Sequence, residues 1–182
     1  WEDCPAEAVD AARRAILDCL GVMLAGSIEP AARIVTGIAR AEGGAPLATV
    51  VGTSLRTGAV WAALANGTAA HALDFDDTNF AMMGHPSAPV LSAALAAGEL
   101  ALADGRALVH AFLLGFEVET AMAEVMNPPH YEKGFHATGT AAGMGSRNPP
   151  PFGSSSSRVT SAHDAGVSGT SRPLRSISWA ST

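Results

Sequence analysis

The chain has 182 residues, 48% of them hydrophobic but only 5% aromatic, and a formal net charge of −6. That length allows one domain with a real core and hardly two. With a pI near 5.4 and no basic stripe to neutralise phosphates, a nucleic-acid partner is excluded.

Residues 6–25 read as a helix, with Val9, Ile16, Leu17, Leu20, Met23 and Leu24 on one stripe and Gly26-Ser27 as its stop. Pro30 fits the first position of a second helix running to Arg40, which Gly43-Gly44 ends. Leu47–Gly52 is a β-branched run expected as a strand or extended connector. Residues 57–73 are expected as a helix, followed by helices over Pro86–Ala103 and Ala107–Met126. Asn127-Pro128-Pro129 breaks the last of these, and Gly134–Thr140 opens a further element.

From Ser146 the composition changes. Eleven of the last 37 residues are serine against four in the first 145, with a single acid, Asp164, in that tail. Such a segment buries too little apolar surface to offset chain entropy, so 1–145 is expected as the folded domain and 146–182 as a disordered tail. A shifted reading frame accounts for the abrupt change better than a native linker. The chain opens on Trp1 without a basic leader, so it is expected to begin inside a longer protein. The least polar run, Ala88–Ala103, is interrupted by Ser92, Gly98 and Glu99, and no membrane span is expected. Cys4 and Cys19 are the only cysteines, too few for an iron–sulfur cluster, and a reduced, cytoplasmic chain is expected.

Chemistry concentrates at Ala65–Thr78 and Gly84-His85-Pro86-Ser87. Two histidines, three carboxylates and two threonines stand there among small apolar residues. An apolar setting makes unpaired charge costly, so a dense polar cluster marks a candidate site. Three readings compete. Asp74-Phe75-Asp76-Asp77-Thr78 has the Asp-x-Asp-x-Thr pattern of metal-dependent haloacid-dehalogenase-type phosphatases, which require the first Asp at the end of a strand. His71, Asp74, Asp76, Asp77 and His85 offer carboxylate and imidazole donors for a divalent ion, in no specific metal-motif spacing. In the third reading no metal or other cofactor takes part: His85 transfers a proton, a carboxylate such as Asp74 orients the imidazole, and Thr78 donates to a substrate oxygen. Asp76 and Asp77 are adjacent and face different ways, so at most one serves a pocket while the other caps a helix or pairs with arginine. His110 reads as a packed or half-exposed helix residue, His130 as a surface loop residue with pocket lining as the alternative, and the Phe112–Phe116 run as core.

Five blocks in order resemble the N-terminal part of the MmgE/PrpD family, which includes 2-methylcitrate dehydratase and cis-aconitate decarboxylase. They are Leu17–Val22 with Ala25-Gly26-Ser27, Asn66–Thr78, His85-Pro86-Ser87, Gly115–Val118 and Gly134–Thr138. The resemblance implies an all-α fold, the N-terminal portion of a helical domain, with a smaller lid domain in complete members. It implies a hydro-lyase acting on a 2-methylcitrate-like tricarboxylate in propionate catabolism, without iron–sulfur cluster or metal, and a homodimer. Its catalytic positions fall on Asp74, Thr78 and His85, with His136 lining the pocket. Lys133, the only lysine in the chain, is either a weak carboxylate anchor or a solvated loop charge. The family's essential lysines belong to later segments, so little or no dehydratase activity is expected of this polypeptide. A non-catalytic helical remnant with exposed apolar faces and poor solubility is the alternative.

Overall fold

A computed structural model describes residues 4–145, and the expected disordered, out-of-frame tail over 146–182 lies outside the described residues. Seven helices and one two-stranded hairpin account for the described elements: α1 (Ala6–Gly26), α2 (Pro30–Glu42), β1 (Ala48–Thr49), β2 (Arg56–Thr57), α3 (Ala59–His71), α4 (Ser87–Ala101), α5 (Gly105–Met126), α6 (Pro129–Glu132) and α7 (Ala137–Gly145). The fold is all-α, as the sequence led us to expect. The Leu47–Gly52 run supplies only a two-residue strand, pairing antiparallel as Ala48 with Thr57 and Thr49 with Arg56.

The inward face of α1 differs from the expected stripe. Val9, Ala12, Ile16, Cys19 and Met23 are buried, at alternating spacings of three and four, whereas Leu17 is 73% exposed and Leu24 is 53% exposed. Small residues carry this contact: alanines let α1 approach α3 closely. Gly26 is the extreme case, because a Cβ there would stand 2.0 Å from the Ala69 carbonyl oxygen. The central core joins Cys19 and Met23 of α1, Ala70 of α3, Leu91 of α4 and Phe112 and Phe116 of α5. Leu114, inside the run expected as core, stays 39% exposed.

Helix ends follow from the local sequence. Pro30 occupies the first turn of α2, where a missing N–H costs nothing. Gly43 (φ 67) and Gly44 (φ 107) then take left-handed conformations that stop it. Asp104 caps α5 by accepting the Ala107 N–H at 2.9 Å.

The hairpin is held by side chains of the helices beneath it. Buried Asn66 of α3 accepts the Val51 N–H and donates to the Thr49 carbonyl, both at 2.9 Å. Glu99 of α4 accepts the Thr49 N–H at 3.1 Å and its hydroxyl at 2.9 Å, and pairs with Arg56 at 2.8 Å. Two loops remain for function: the 72–86 crossing between α3 and α4, and the 133–136 entry to α7.

Candidate active site

The end of α3 decides where the chemistry sits. The helix places His71 on its last turn, and Asp74 then adopts a left-handed conformation (φ 57), its N–H donating to the His71 carbonyl at 3.2 Å. Asp is one of the few side chains that tolerate this region. The reversal turns the Asp74 carboxylate back over the helix end, and Asp76 follows into the interior.

His85 arrives from the other side. Asn79 and Gly84 exchange backbone hydrogen bonds at 2.9 and 3.3 Å, closing a tight turn that Asn79 Oδ1 braces by accepting the N–H groups of Ala81 and Met82. Gly84 is required, since a Cβ there would lie 2.8 Å from Thr138 Oγ1 and 3.1 Å from the Thr138 nitrogen. Because the backbone passes so close, Thr138 Oγ1 accepts the His85 N–H at 2.8 Å. Helix α7 thus fixes the imidazole's backbone.

These two approaches converge. His71 Nδ1 lies 3.0 Å from both Asp76 carboxylate oxygens. His85 Nε2 is 3.6 Å from Asp74 Oδ1, and its Nδ1 is 3.5 Å from Asp76 Oδ1 and 3.4 Å from the Asp76 carbonyl. The imidazole centroids are 4.7 Å apart. Asp76 is buried, with no side-chain surface exposed, while the side chain of Asp74 is 77% exposed. One carboxylate is therefore a fixed internal partner for both imidazoles, and the other faces solvent and an incoming ligand.

Asp77 points elsewhere. Its Oδ1 accepts the Ser87 N–H at 3.0 Å and its Oδ2 accepts the Ser87 hydroxyl at 2.8 Å, satisfying the first turn of α4. The adjacent acids divide their tasks, Asp76 to the imidazoles and Asp77 to the helix end. Burial raises the Asp77 pKa above the usual carboxylate range; its bonds to Ser87 pull the other way, the Asp76 charge adds to the rise and His85 opposes it.

Behind Asp77 lies Glu119 of α5, fully buried, with neither carboxylate oxygen hydrogen-bonded among the described residues. Burial, with the Asp77 charge added, lifts its pKa to about 9, so it stands protonated at neutral pH. Burial likewise pushes the Cys19 thiol up to about 12, with the charges of Asp77, Asp76 and Asp18 adding to it; that thiol is inert packing.

Of the sequence candidates, Asp74 and His85 meet. Thr78 is exposed and outside the hydrogen-bonded cluster. His136 is exposed on the approach to α7, and Lys133 is exposed at the end of α6. His130 belongs to the short helix α6 rather than a loop, half-buried and stacked on Phe135 at 4.9 Å. His110 is half-buried in α5, and burial lowers its pKa. The catalytic assignment lacked His71 and Asp76, which the structure joins to His85, and Thr138, which positions it. The alternation of His71, Asp74 and Asp76 around a helix end was a usable signal for His71 and Asp76; Thr138 lies in the Gly134–Thr138 block, but its bond to the His85 backbone is a tertiary contact the sequence does not spell out.

The phosphatase-like reading of Asp74 and Asp76 is corrected by the fold. That chemistry needs a nucleophilic Asp at the tip of a buried strand, and the residues leading to Asp74 form α3. Beside the cluster, an apolar groove of about 680 Å³ runs between α3 and α4, walled by Ala63 and Ala88, with Thr68, His71, Ser92 and Thr138 as polar lining residues. Among the described residues no single helix is long and apolar enough to cross a membrane. Residues 1–147 match the family model described as the MmgE/PrpD N-terminal domain.

Proposed function

The chain belongs to the MmgE/PrpD family, and from that premise we propose that it carries the proton-transfer part of a lyase site, whose parent reaction is dehydration of a 2-methylcitrate-like tricarboxylate without metal. The observation that carries this reading is the meeting of His85 with both Asp74 and Asp76 at one end of the bundle. In such a dehydration a base removes a proton beside a carboxylate while an acid assists departure of hydroxide. His85 is the base. Asp76, buried and fixed by the fold, sits 3.5 Å from His85 Nδ1 and holds the ring in place. Asp74, on the solvent side, orients the imidazole, and Thr78 is a hydroxyl donor for the substrate.

Holding the substrate is the weaker half. A tricarboxylate is ordinarily gripped by lysine and arginine, and here the exposed Lys133 is the only lysine, with the exposed His136 three residues on. The polypeptide alone is therefore expected to bind such acids weakly and to turn them over slowly or not at all. Dimerisation, by family likeness, and a cytoplasmic location complete the proposal.

Following the histidine imidazole resonances by NMR while adding 2-methylcitrate tests it. His71 and His85 should shift together while His110, in the body of α5, stays still. Uniform shifts at all histidines, or none, contradict the reading, as does brisk turnover that survives replacement of His85.

A further inference from the structure

We infer that His71, Asp74, Asp76 and His85 form a binding site for a divalent transition-metal cation of the zinc class, and that its occupancy blocks the proton transfer proposed above. The four side chains each offer one donor atom, and these atoms lie within 4.8 Å of one another. In a tetrahedral zinc site with bonds of about 2.0–2.2 Å, neighbouring donors stand about 3.2–3.6 Å apart. Three of the six separations are near that, at 3.0 Å from His71 Nδ1 to Asp76 Oδ2, 3.6 Å from His85 Nε2 to Asp74 Oδ1 and 4.0 Å from His71 Nδ1 to Asp74 Oδ1, and all fall within 4.8 Å.

Charge and framing favour a cation as well. Two carboxylates lie beside two imidazoles, and among the described residues no lysine or arginine forms an ion pair with either acid. The two carboxylates supply anionic donors that a divalent ion matches. The donors come from the end of α3, the following loop and the residue pinned by Thr138, so they are held before an ion arrives. Buried Asp76 forms the floor, while the partly exposed His71 and Asp74 leave an entry from solvent. Two imidazole nitrogens with two carboxylate oxygens suit Zn2+ and its neighbours, whereas Mg2+ and Ca2+ prefer all-oxygen shells. A bound ion occupies the lone pairs of His85 and Asp74 that proton transfer uses. Blocking thus rests on the acid–base reading, and binding does not.

Calorimetric titration of the full 182-residue chain with zinc chloride, with magnesium chloride as control, tests the inference. A single saturable zinc site is expected, at least about tenfold tighter than magnesium, and weakened at least about tenfold by His71→Gln and by Asp74→Asn. Both changes fall on partly exposed side chains, and unchanged metal-free melting curves confirm that the variants remain folded. Absence of saturable zinc heat, equal affinity for magnesium, or zinc binding untouched in both variants overturns it. The blocking half is read separately: 2-methylcitrate should perturb the His71 and His85 resonances in metal-free protein and not in zinc-saturated protein. Equal perturbation in both states overturns blocking, whereas no perturbation in metal-free protein defeats the acid–base reading and leaves the zinc result standing.

Discussion

Replacing Glu119 by glutamine should stabilise the protein, and by an amount that grows with pH. Glu119 is wholly buried with both oxygens unpartnered, and its pKa rises from 4.5 to about 9 on folding. In the unfolded chain the carboxyl ionises above 4.5, while in the fold it keeps its proton until about 9. Between those values the native state binds the extra proton, so stability falls as pH rises, by about 1.4 kcal/mol per pH unit. Over the interval from 4.5 to neutral pH this reaches about 3 kcal/mol, an upper bound because buried carboxyls recruit water. The glutamine variant has no proton to lose and leaves the same atoms unpartnered, so it lacks the slope. Thermal unfolding followed by circular dichroism at a series of pH values should show the two proteins alike near the ordinary glutamate pKa. The variant should lead by roughly 6–12 °C at neutral pH, taking 2–4 °C per kcal/mol. A gap that does not change with pH, or a wild type that is the more stable protein above neutrality, refutes the reasoning.

Asn66→Ala strands the Val51 N–H and the Thr49 carbonyl at once, and should cost about 2–4 kcal/mol in urea unfolding. Asp77→Ala removes two bonds to Ser87 at the start of α4, and should cost about 1–2 kcal/mol by the same measure. Gly26→Ala drives a methyl into the Ala69 carbonyl and should cost about 1–3 kcal/mol or more. Gly21→Ala, in the same helix but with nothing within 4 Å of the new methyl, should instead stabilise by about 0.5–1 kcal/mol; melting temperatures of the pair moving in the same direction would contradict the packing described here.

The helices were legible because prolines, glycines and apolar spacing mark their ends and faces locally. Pro30, Gly43-Gly44 and Asp104-Gly105 each stop or start a helix in the structure. Which face of α1 turns inward was less legible. Ranking residues by size favoured Leu17 and Leu24, whereas a contact between closely approaching helices selects alanine, cysteine and glycine. The polar cluster could be found because His71, Asp74, Asp76 and His85 lie within fifteen residues of sequence. Assigning Asp76 to the imidazoles and Asp77 to the α4 terminus needed the backbone reversal at Asp74. Glu119 looked like any helical acid, since only the packing of α5 against the loop removes it from water.

Proton transfer by His85, Asp74 and Asp76 on a carboxylic acid is the proposed chemistry of this site. The most direct measurement is a crystal structure of the chain soaked in 2-methylcitrate. The account predicts a carbon beside a substrate carboxylate within hydrogen-bonding reach of a His85 ring nitrogen, with Asp74 at the same ligand. A ligand seated away from these residues, or a His85 ring turned from both acids, would contradict it.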